Sequence, residues 1–209
     1  ATKNIAHIVL MDNNFNSIPH VVAEGRRVIN NIEKSSSLFL MKTIFTMVLA
    51  IISIIGGNLF PFRSNMMTLL ELLVIGLGSF ALSMQPNTNK VNGRFIGYLV
   101  SHSLPGACIL LFIVLAFLGI RRIGIDFNEL TPKMYDTLLV AALTFGGISY
   151  FNVICKPYNA YRGVVMTIVV LCSVGMMVFL MPTLFRLPNL LTGFQQGNWK
   201  FIAILICLI

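Results

Sequence analysis

The chain has 209 residues, of which 56% are hydrophobic and only 11% are charged, whereas soluble domains carry about 25% charged residues. This composition excludes an ordinary soluble domain and predicts an all-α polytopic membrane protein with the lipid bilayer as its partner. The net charge of +8 does not indicate nucleic-acid binding, because the basic residues are scattered between apolar runs, where such charges orient membrane helices.

The polar start, residues 1–20, has the pattern of a strand, a turn and then a helix. Ile8 to Met11 is a short apolar run that fits a buried strand, and turn-forming residues follow it. Ser17 is a candidate N-cap, with Pro19 in the first turn of the next helix. This order predicts the last unit of an α/β domain whose strand lacks its sheet partners. With no initiator Met, we expect the chain to be cut from a longer protein.

The next stretch, Val21 to Gly57, has no proline, and its only interior glycine is Gly25. Its first half is polar and its second half is apolar. We therefore predict one helix, unbroken from about Pro19 to about Ile55, that starts in water and ends in the bilayer. Residues 21–37 would form its stalk, and the first membrane segment would begin at Leu38.

A polar stripe runs along this helix and includes a lysine in the membrane part. At about 100° per residue, five polar residues lie within about 40° of Lys42: Glu24, Asn31, Ser35, Thr46 and Ser53. Thr43 lies at about 100°. A solvated stalk face with hydroxyls bonded to their own helix would explain Ser53 well but Lys42 poorly, since a lysine in a membrane segment costs roughly 2.5–3.5 kcal/mol. The stripe favours a protein interior or an ion path over lipid.

Residues 38–209 form the predicted transmembrane domain, with six segments at about 38–55, 66–84, 96–118, 135–155, 163–181 and 199–209. The last has eleven residues, too few to cross about 30 Å of hydrocarbon, so we expect it to be truncated or only just complete. Eight basic residues fall on the amino-terminal side of the membrane and six on the other. This gives weak support for a cytoplasmic amino-terminal end.

Glu71 is the only acidic residue well inside a predicted membrane segment. Such carboxylates usually mark ion paths or proton relays, and the alternative is a protonated acid that hydrogen-bonds a neighbouring helix. On an α-helix Gly78 would lie about 20° from Glu71, on the same face. Lys42 lies about 6 Å from one end of its segment and Glu71 about 8 Å from the opposite end of its own. A direct ion pair between them therefore requires shifted segment boundaries.

Two motifs in the first part of the chain resemble the end of the phosphorylation domain and the stalk of a P-type cation ATPase. Calcium pumps have a similar V-L-x-D-[DN]-N-F core followed by E-G-R-x-I-x-N-N. The matching positions are Val9, Leu10, Asp12, Asn13, Asn14, Phe15, Glu24, Gly25, Arg26, Val28, Asn30 and Asn31. The continuation SSSLFLMKTIF resembles a bacterial subgroup, the cation-transporting ATPase E kind. The match weakens through Gln85 to Asn87, and beyond that only the order of segments agrees.

The resemblance implies that residues 1–20 end the HAD-like phosphorylation domain and that the six segments are the fifth to tenth membrane helices. It places candidate ion ligands at Thr43, Thr46 and Glu71, with Glu71 as the candidate metal ligand and Lys42 as a charge-modulating neighbour. The pattern departs from calcium pumps, because Thr46 replaces an acid, Ile75 replaces an aspartate and Glu71 replaces an amide. One divalent ion, or a monovalent ion or proton countercharge, is easier to neutralise here than two calcium ions.

The implied function is the carboxy-terminal transport half of an ATP-driven cation pump, with the ion a divalent cation such as calcium. The catalytic aspartate, the nucleotide and actuator domains, and hence the ATP and Mg²⁺ sites, would lie upstream, so the chain alone lacks catalytic residues. The implied location is the bacterial plasma membrane. The alternative is a free-standing polytopic transporter or scaffold without ATPase activity, in which the polar start merely mimics a pump.

Overall fold

The computed structural model describes Val9 and residues 14–57, 64–91, 93–122 and 132–184. Within these residues the chain forms helices and loops and no strand. The predicted strand Ile8–Met11, apart from Val9, and the predicted sixth membrane segment lie outside the described residues.

The first helix, α1, spans Ile18–Ile55 without interruption, as the sequence predicts. Its 38 residues extend about 57 Å, almost twice the hydrocarbon thickness, so half of the helix must lie outside the membrane. Ser17 occupies the N-cap position but makes no side-chain cap. Its hydroxyl instead donates to the carbonyl of Asn14 at 2.7 Å. Gly57, with φ of +62°, takes the left-handed conformation that ends the helix.

The second helix, α2, is a composite that covers residues 64–83. It begins as a 3₁₀ turn, Ser64–Met67, continues as a π-helical stretch, Leu70–Leu77, and ends as a regular α-helix, Gly78–Ser83. A π-helical turn of this length is uncommon, and π turns often occur at functional sites. Helical periodicity at about 100° per residue cannot reveal such a stretch, because it describes only regular α-helical turns.

Three further helices follow: α3 at Phe95–Arg122, α4 at Pro132–Ile154 and α5 at Ala160–Leu184. Each contains nearly all of the corresponding predicted segment. Pro105 lies inside α3 without ending the helix, since a membrane environment tolerates proline where neighbouring helices satisfy the freed backbone groups. Within the described residues, four helices, α1, α3, α4 and α5, are long and apolar enough to cross a membrane. The apolar part of α2, Leu70–Ser83, is shorter.

Helix α4 is the centre of the bundle. In its most apolar window 78% of the residues are buried, against 28% in α3 and in α5. The outward faces of those two helices carry large exposed apolar side chains such as Phe112 and Phe179, as lipid contact requires. Helix α1 packs on α2 and α3, and the fully buried Phe45 and Phe151 lie in the common core.

Glycines allow α2 and α4 to approach closely. A Cβ added at Gly78 would lie 2.8 Å from the Phe151 ring, and one at Gly147 would lie 2.5 Å from the Leu70 side chain. Small residues at helix contacts are the usual means of close packing in membranes, where the hydrophobic effect does not drive helices together. These contacts fix α2 against α4 at the centre of the bundle.

Candidate functional site

The membrane part of α1 and the π-helical stretch of α2 are joined by an ion pair. The ammonium of Lys42 lies 2.7 Å from Oε1 of Glu71, and the two side chains are 32% and 43% exposed. The only other ion pair among the described residues joins Arg27 and Glu24 on the surface of the stalk. Glu71 thus has the cationic partner that a membrane carboxylate needs.

The expectation that Lys42 and Glu71 sit at different depths is wrong, and the reason is the register of α1 on α2. The side-chain amide of Asn31 donates to the carbonyls of Ser83 and Gln85, at 2.9 and 2.6 Å. Residue 31, rather than Leu38, is therefore level with the end of α2. This shifts α1 by about seven residues, or about 10 Å, relative to segments aligned end to end.

From that anchor the two charged residues reach similar depths. Lys42 is eleven residues along α1, or about 17 Å, and Glu71 is about thirteen residues back along α2, or about 20 Å. The flexible four-carbon stem of a lysine spans the remaining difference. The observed register of α1 on α2 is therefore the shift in segment boundaries that a direct ion pair between Lys42 and Glu71 requires.

Glu71 sits in the first turn of the π-helix. A side chain at Gly76 would crowd this turn, because a Cβ there would lie 3.2 Å from the backbone carbonyl of Glu71. The predicted common face of Glu71 and Gly78 is not observed as one contact surface. Glu71 pairs with α1, whereas Gly78 packs against Phe151 of α4. The change from α to π turns alters the angle between residues seven positions apart, which a constant helical period cannot anticipate.

The two threonines predicted as ligands follow Lys42 on α1, one and four residues further along the chain. The hydroxyl of Thr43 donates to the carbonyl of Phe39, and that of Thr46 donates to the carbonyls of Lys42 and Thr43, all at 3.0 to 3.1 Å. Both hydroxyls use their hydrogen in these bonds and keep oxygen lone pairs, which are the atoms a cation would bind. Ile75, the remaining position implied by the resemblance, is 3% exposed and has no group to offer an ion.

A second polar cluster lies at the end of the bundle nearest the stalk, and the sequence did not single it out as a unit. Arg162 of α5 is 5% exposed. Its Nε donates to Oε1 of Gln85 at 2.7 Å, and one Nη donates to the carbonyls of Cys155 and Pro157, at 3.2 and 2.7 Å. Since the Gln85 backbone also accepts the bond from Asn31, the cluster ties α1, α2 and α5 together.

The sequence did carry a partial signal for this cluster. Asn31 and Gln85 are both motif residues of the resemblance, but Arg162 reads only as one more charge in a short loop. Its role depends on burial between three elements that are far apart in the chain, and no local pattern reports such burial.

No family model matches the chain, and no solved structure matches it. Curated proteins do match. Over 188 residues the chain is 32% identical to the calcium-transporting ATPase CtpE of Mycolicibacterium smegmatis, covering 83% of the chain and 23% of that protein. It is 33% identical over 184 residues to the probable cation-transporting ATPase exp7 of Streptococcus pneumoniae, covering 84% and 22%. The chain belongs to the P-type cation-transporting ATPases.

Membership in this family confirms the resemblance seen in the motifs. Calcium-transporting ATPase CtpE of Mycobacterium bovis is also 31% identical over 177 residues, which are 78% of the chain and 22% of that ATPase. The chain thus spans less than a quarter of the length of these P-type relatives, and the match falls in their carboxy-terminal part. A multi-pass membrane protein is what both the family and the four long apolar helices indicate. Family membership also disfavours the alternative of a free-standing transporter or scaffold, which required the polar start merely to mimic a pump.

Proposed function

We propose that this chain is the carboxy-terminal transport half of an ATP-driven cation pump and holds part of its membrane ion site. The Lys42–Glu71 pair carries this proposal, because it places a carboxylate beside a movable cation where two membrane helices meet. The catalytic aspartate and the sites for ATP and Mg²⁺ belong to the actuator, nucleotide and phosphorylation domains of the remaining pump. The amino-terminal end faces the cytoplasm, and the membrane is the bacterial plasma membrane.

In this proposal the carboxylate of Glu71 binds the transported cation, and Lys42 replaces that cation when the site is empty. A carboxylate left without a positive charge in the membrane would be costly. Lys42 removes that cost and also opposes the incoming ion, because two positive charges cannot share one carboxylate closely. Binding therefore requires Lys42 to swing away, with the lone pairs of Thr43 and Thr46 available as further ligands.

Helix α1 is suited to connect this site with the catalytic half. It runs without a break from Ile18 to Ile55, and Lys42 lies about 36 Å from its first residue. A displacement of the stalk after phosphorylation would carry Lys42 with it. The bonds from Asn31 to the end of α2 would make α2 follow or would break, and either result changes the distance between Lys42 and Glu71.

The charge of the described residues bears on the ion. They contain no group of three His, Cys, Asp or Glu side chains able to hold a metal. In this proposal this part of the pump supplies the carboxylate of Glu71 and the hydroxyls of Thr43 and Thr46. A divalent ion would need further oxygen ligands from other helices. We favour one divalent cation such as calcium, in agreement with the names of the relatives, over a two-calcium site.

The test of function uses the full-length pump reconstituted in sealed vesicles. Calcium, magnesium, manganese, sodium and potassium are offered in turn, and uptake is measured with ATP, without ATP and with an ion gradient alone. We expect uptake of calcium that requires hydrolysable ATP. Uptake driven by a gradient and indifferent to ATP would instead identify a secondary transporter.

A further inference from the structure

A cavity of about 180 Å³ lies where the stalk half of α1 meets the loop after α2 and the start of α3. This is far more than the 10–15 Å³ that one water needs. Six residues line it: Asn30, Glu33, Lys34, Lys90, Arg94 and Tyr98. It lies outside the ion pair of Lys42 and Glu71 and serves no step of the proposed transport.

The walls of the cavity are held by bonds that leave its charged groups free. The side-chain amide of Asn30 donates to the carbonyls of Asn87 and Asn89, at 3.2 and 2.9 Å, which holds the loop with Lys90 against α1. Gly93, with φ of +65°, lets the chain turn into α3. There the ring of Tyr98 stacks on His102 with centroids 3.9 Å apart.

The charges in the cavity lack partners within the part of the chain that the structure describes. Lys34, Lys90 and Arg94 form no ion pair there, and the Glu33 carboxylate accepts no hydrogen bond although the residue is only 9% exposed. Three cations against one carboxylate leave an excess of two positive charges. A buried carboxylate without a hydrogen-bond donor is costly. A ligand for this cavity should therefore carry negative charge for the cations and a hydrogen-bond donor for Glu33.

We propose that this cavity binds the phosphate group of a phosphate ester whose neighbouring group donates a hydrogen bond to Glu33. Arg94 offers the planar fork that suits phosphate, and the two lysines add point charges. Glu33 would repel a bare phosphate and therefore selects an ester that carries a hydroxyl or amine. Lys34 lies only four residues before the apolar segment of α1, a depth at which a lipid headgroup could reach it. A soluble phosphate ester could enter from the water side.

The experiment uses the full-length pump purified in a neutral detergent, and ligand dissociation constants are measured by titration calorimetry. The probes are a short-chain phosphatidylglycerol, the phosphatidylmethanol of equal chain length, glycerol 3-phosphate and inorganic phosphate. Phosphatidylmethanol has the same charge as phosphatidylglycerol but no hydroxyl donor. The variants are the double change Lys90→Gln with Arg94→Gln, and Glu33→Gln. The matched control removes two exposed lysines outside the cavity, Lys133→Gln with Lys156→Gln.

We expect phosphatidylglycerol to bind at least tenfold more weakly to the Lys90 and Arg94 variant, and within twofold of wild type to the control. Binding of phosphatidylglycerol well above glycerol 3-phosphate identifies a lipid as the source of the phosphate, and equal binding identifies a soluble ester. Either result supports the proposed phosphate site. Wild-type preference for phosphatidylglycerol over phosphatidylmethanol should fall in Glu33→Gln, because the neutral amide oxygen is a weaker acceptor than the carboxylate. The proposal is overturned if no probe binds, or if the cavity variant weakens binding no more than the control.

Both substituted residues of the cavity variant are exposed, so the folded state should tolerate glutamine at these positions. Unchanged thermal unfolding and ATP hydrolysis of the variant establish that a loss of binding is local. Since the binding assay requires no transport, failure of the pump proposal would leave its result intact.

Discussion

Replacing Arg162 by methionine should destabilise the membrane domain more than any other single loss of charge in the described residues. Arg162 is 5% exposed and donates to Gln85 Oε1 and to the carbonyls of Cys155 and Pro157. Methionine keeps much of the apolar stem but leaves three acceptors without their donor. Each bond to a charged group contributes about 1.5–3 kcal/mol. With partial relaxation of the acceptors toward water, we expect a total loss of about 3–5 kcal/mol.

The free energy of unfolding is measured by denaturant titration of the purified protein in mixed micelles. Arg27→Met is the control, because its ion pair with Glu24 is 3.4 Å long and largely exposed and should contribute under about 0.5 kcal/mol. Gln85→Ala, alone and combined with Arg162→Met, completes a double-mutant cycle with an expected coupling of about 1–2 kcal/mol. A loss for Arg162→Met no larger than that for Arg27→Met would refute the reasoning.

Three further changes test packing, register and charge. Gly78→Val should cost about 1–3 kcal/mol of unfolding free energy, because its Cβ would lie 2.8 Å from the Phe151 ring. Gly97→Ala, with no atom within 4 Å, should cost nothing in the same titration, and equal losses would show that the close approach is unimportant. Asn31→Ala removes both bonds to the end of α2 and should cost about 1–3 kcal/mol; an unchanged midpoint would mean that packing alone sets the register. Lys42→Met should change the pH or voltage dependence of transport while the half-saturating ion concentration moves less than tenfold, and unaltered profiles would count against its role as a countercharge.

The long first helix could be predicted from the sequence because its evidence is local. Val21 to Gly57 contains no proline, and its composition changes from polar to apolar only once. The helix observed at Ile18–Ile55 follows from that pattern. Helices α3, α4 and α5 were predicted for the same reason, since each is a long apolar run between polar loops.

The arrangement at the site could be predicted only in part. Glu71 and Lys42 stood out because charge is costly in a membrane segment, but their pairing depends on the register that Asn31 sets against the end of α2. That register is a contact between residues more than fifty positions apart. The π-helical stretch Leu70–Leu77, which contacts α4, has no local sequence signature, and the role of Arg162 becomes evident only from its burial.

The central claim is that the charge of Glu71 binds the transported ion. Full-length pump carrying Glu71→Gln is assayed for ATP hydrolysis across ion concentrations, beside Glu24→Gln, which makes the same chemical change on the exposed stalk. Glutamine keeps the shape and much of the hydrogen bonding but removes the charge. We predict that the half-saturating ion concentration rises at least tenfold, a loss of about 1.4 kcal/mol, and stays unchanged in Glu24→Gln. An unchanged value for Glu71→Gln would mean that Glu71 is a structural partner of Lys42 and binds no ion.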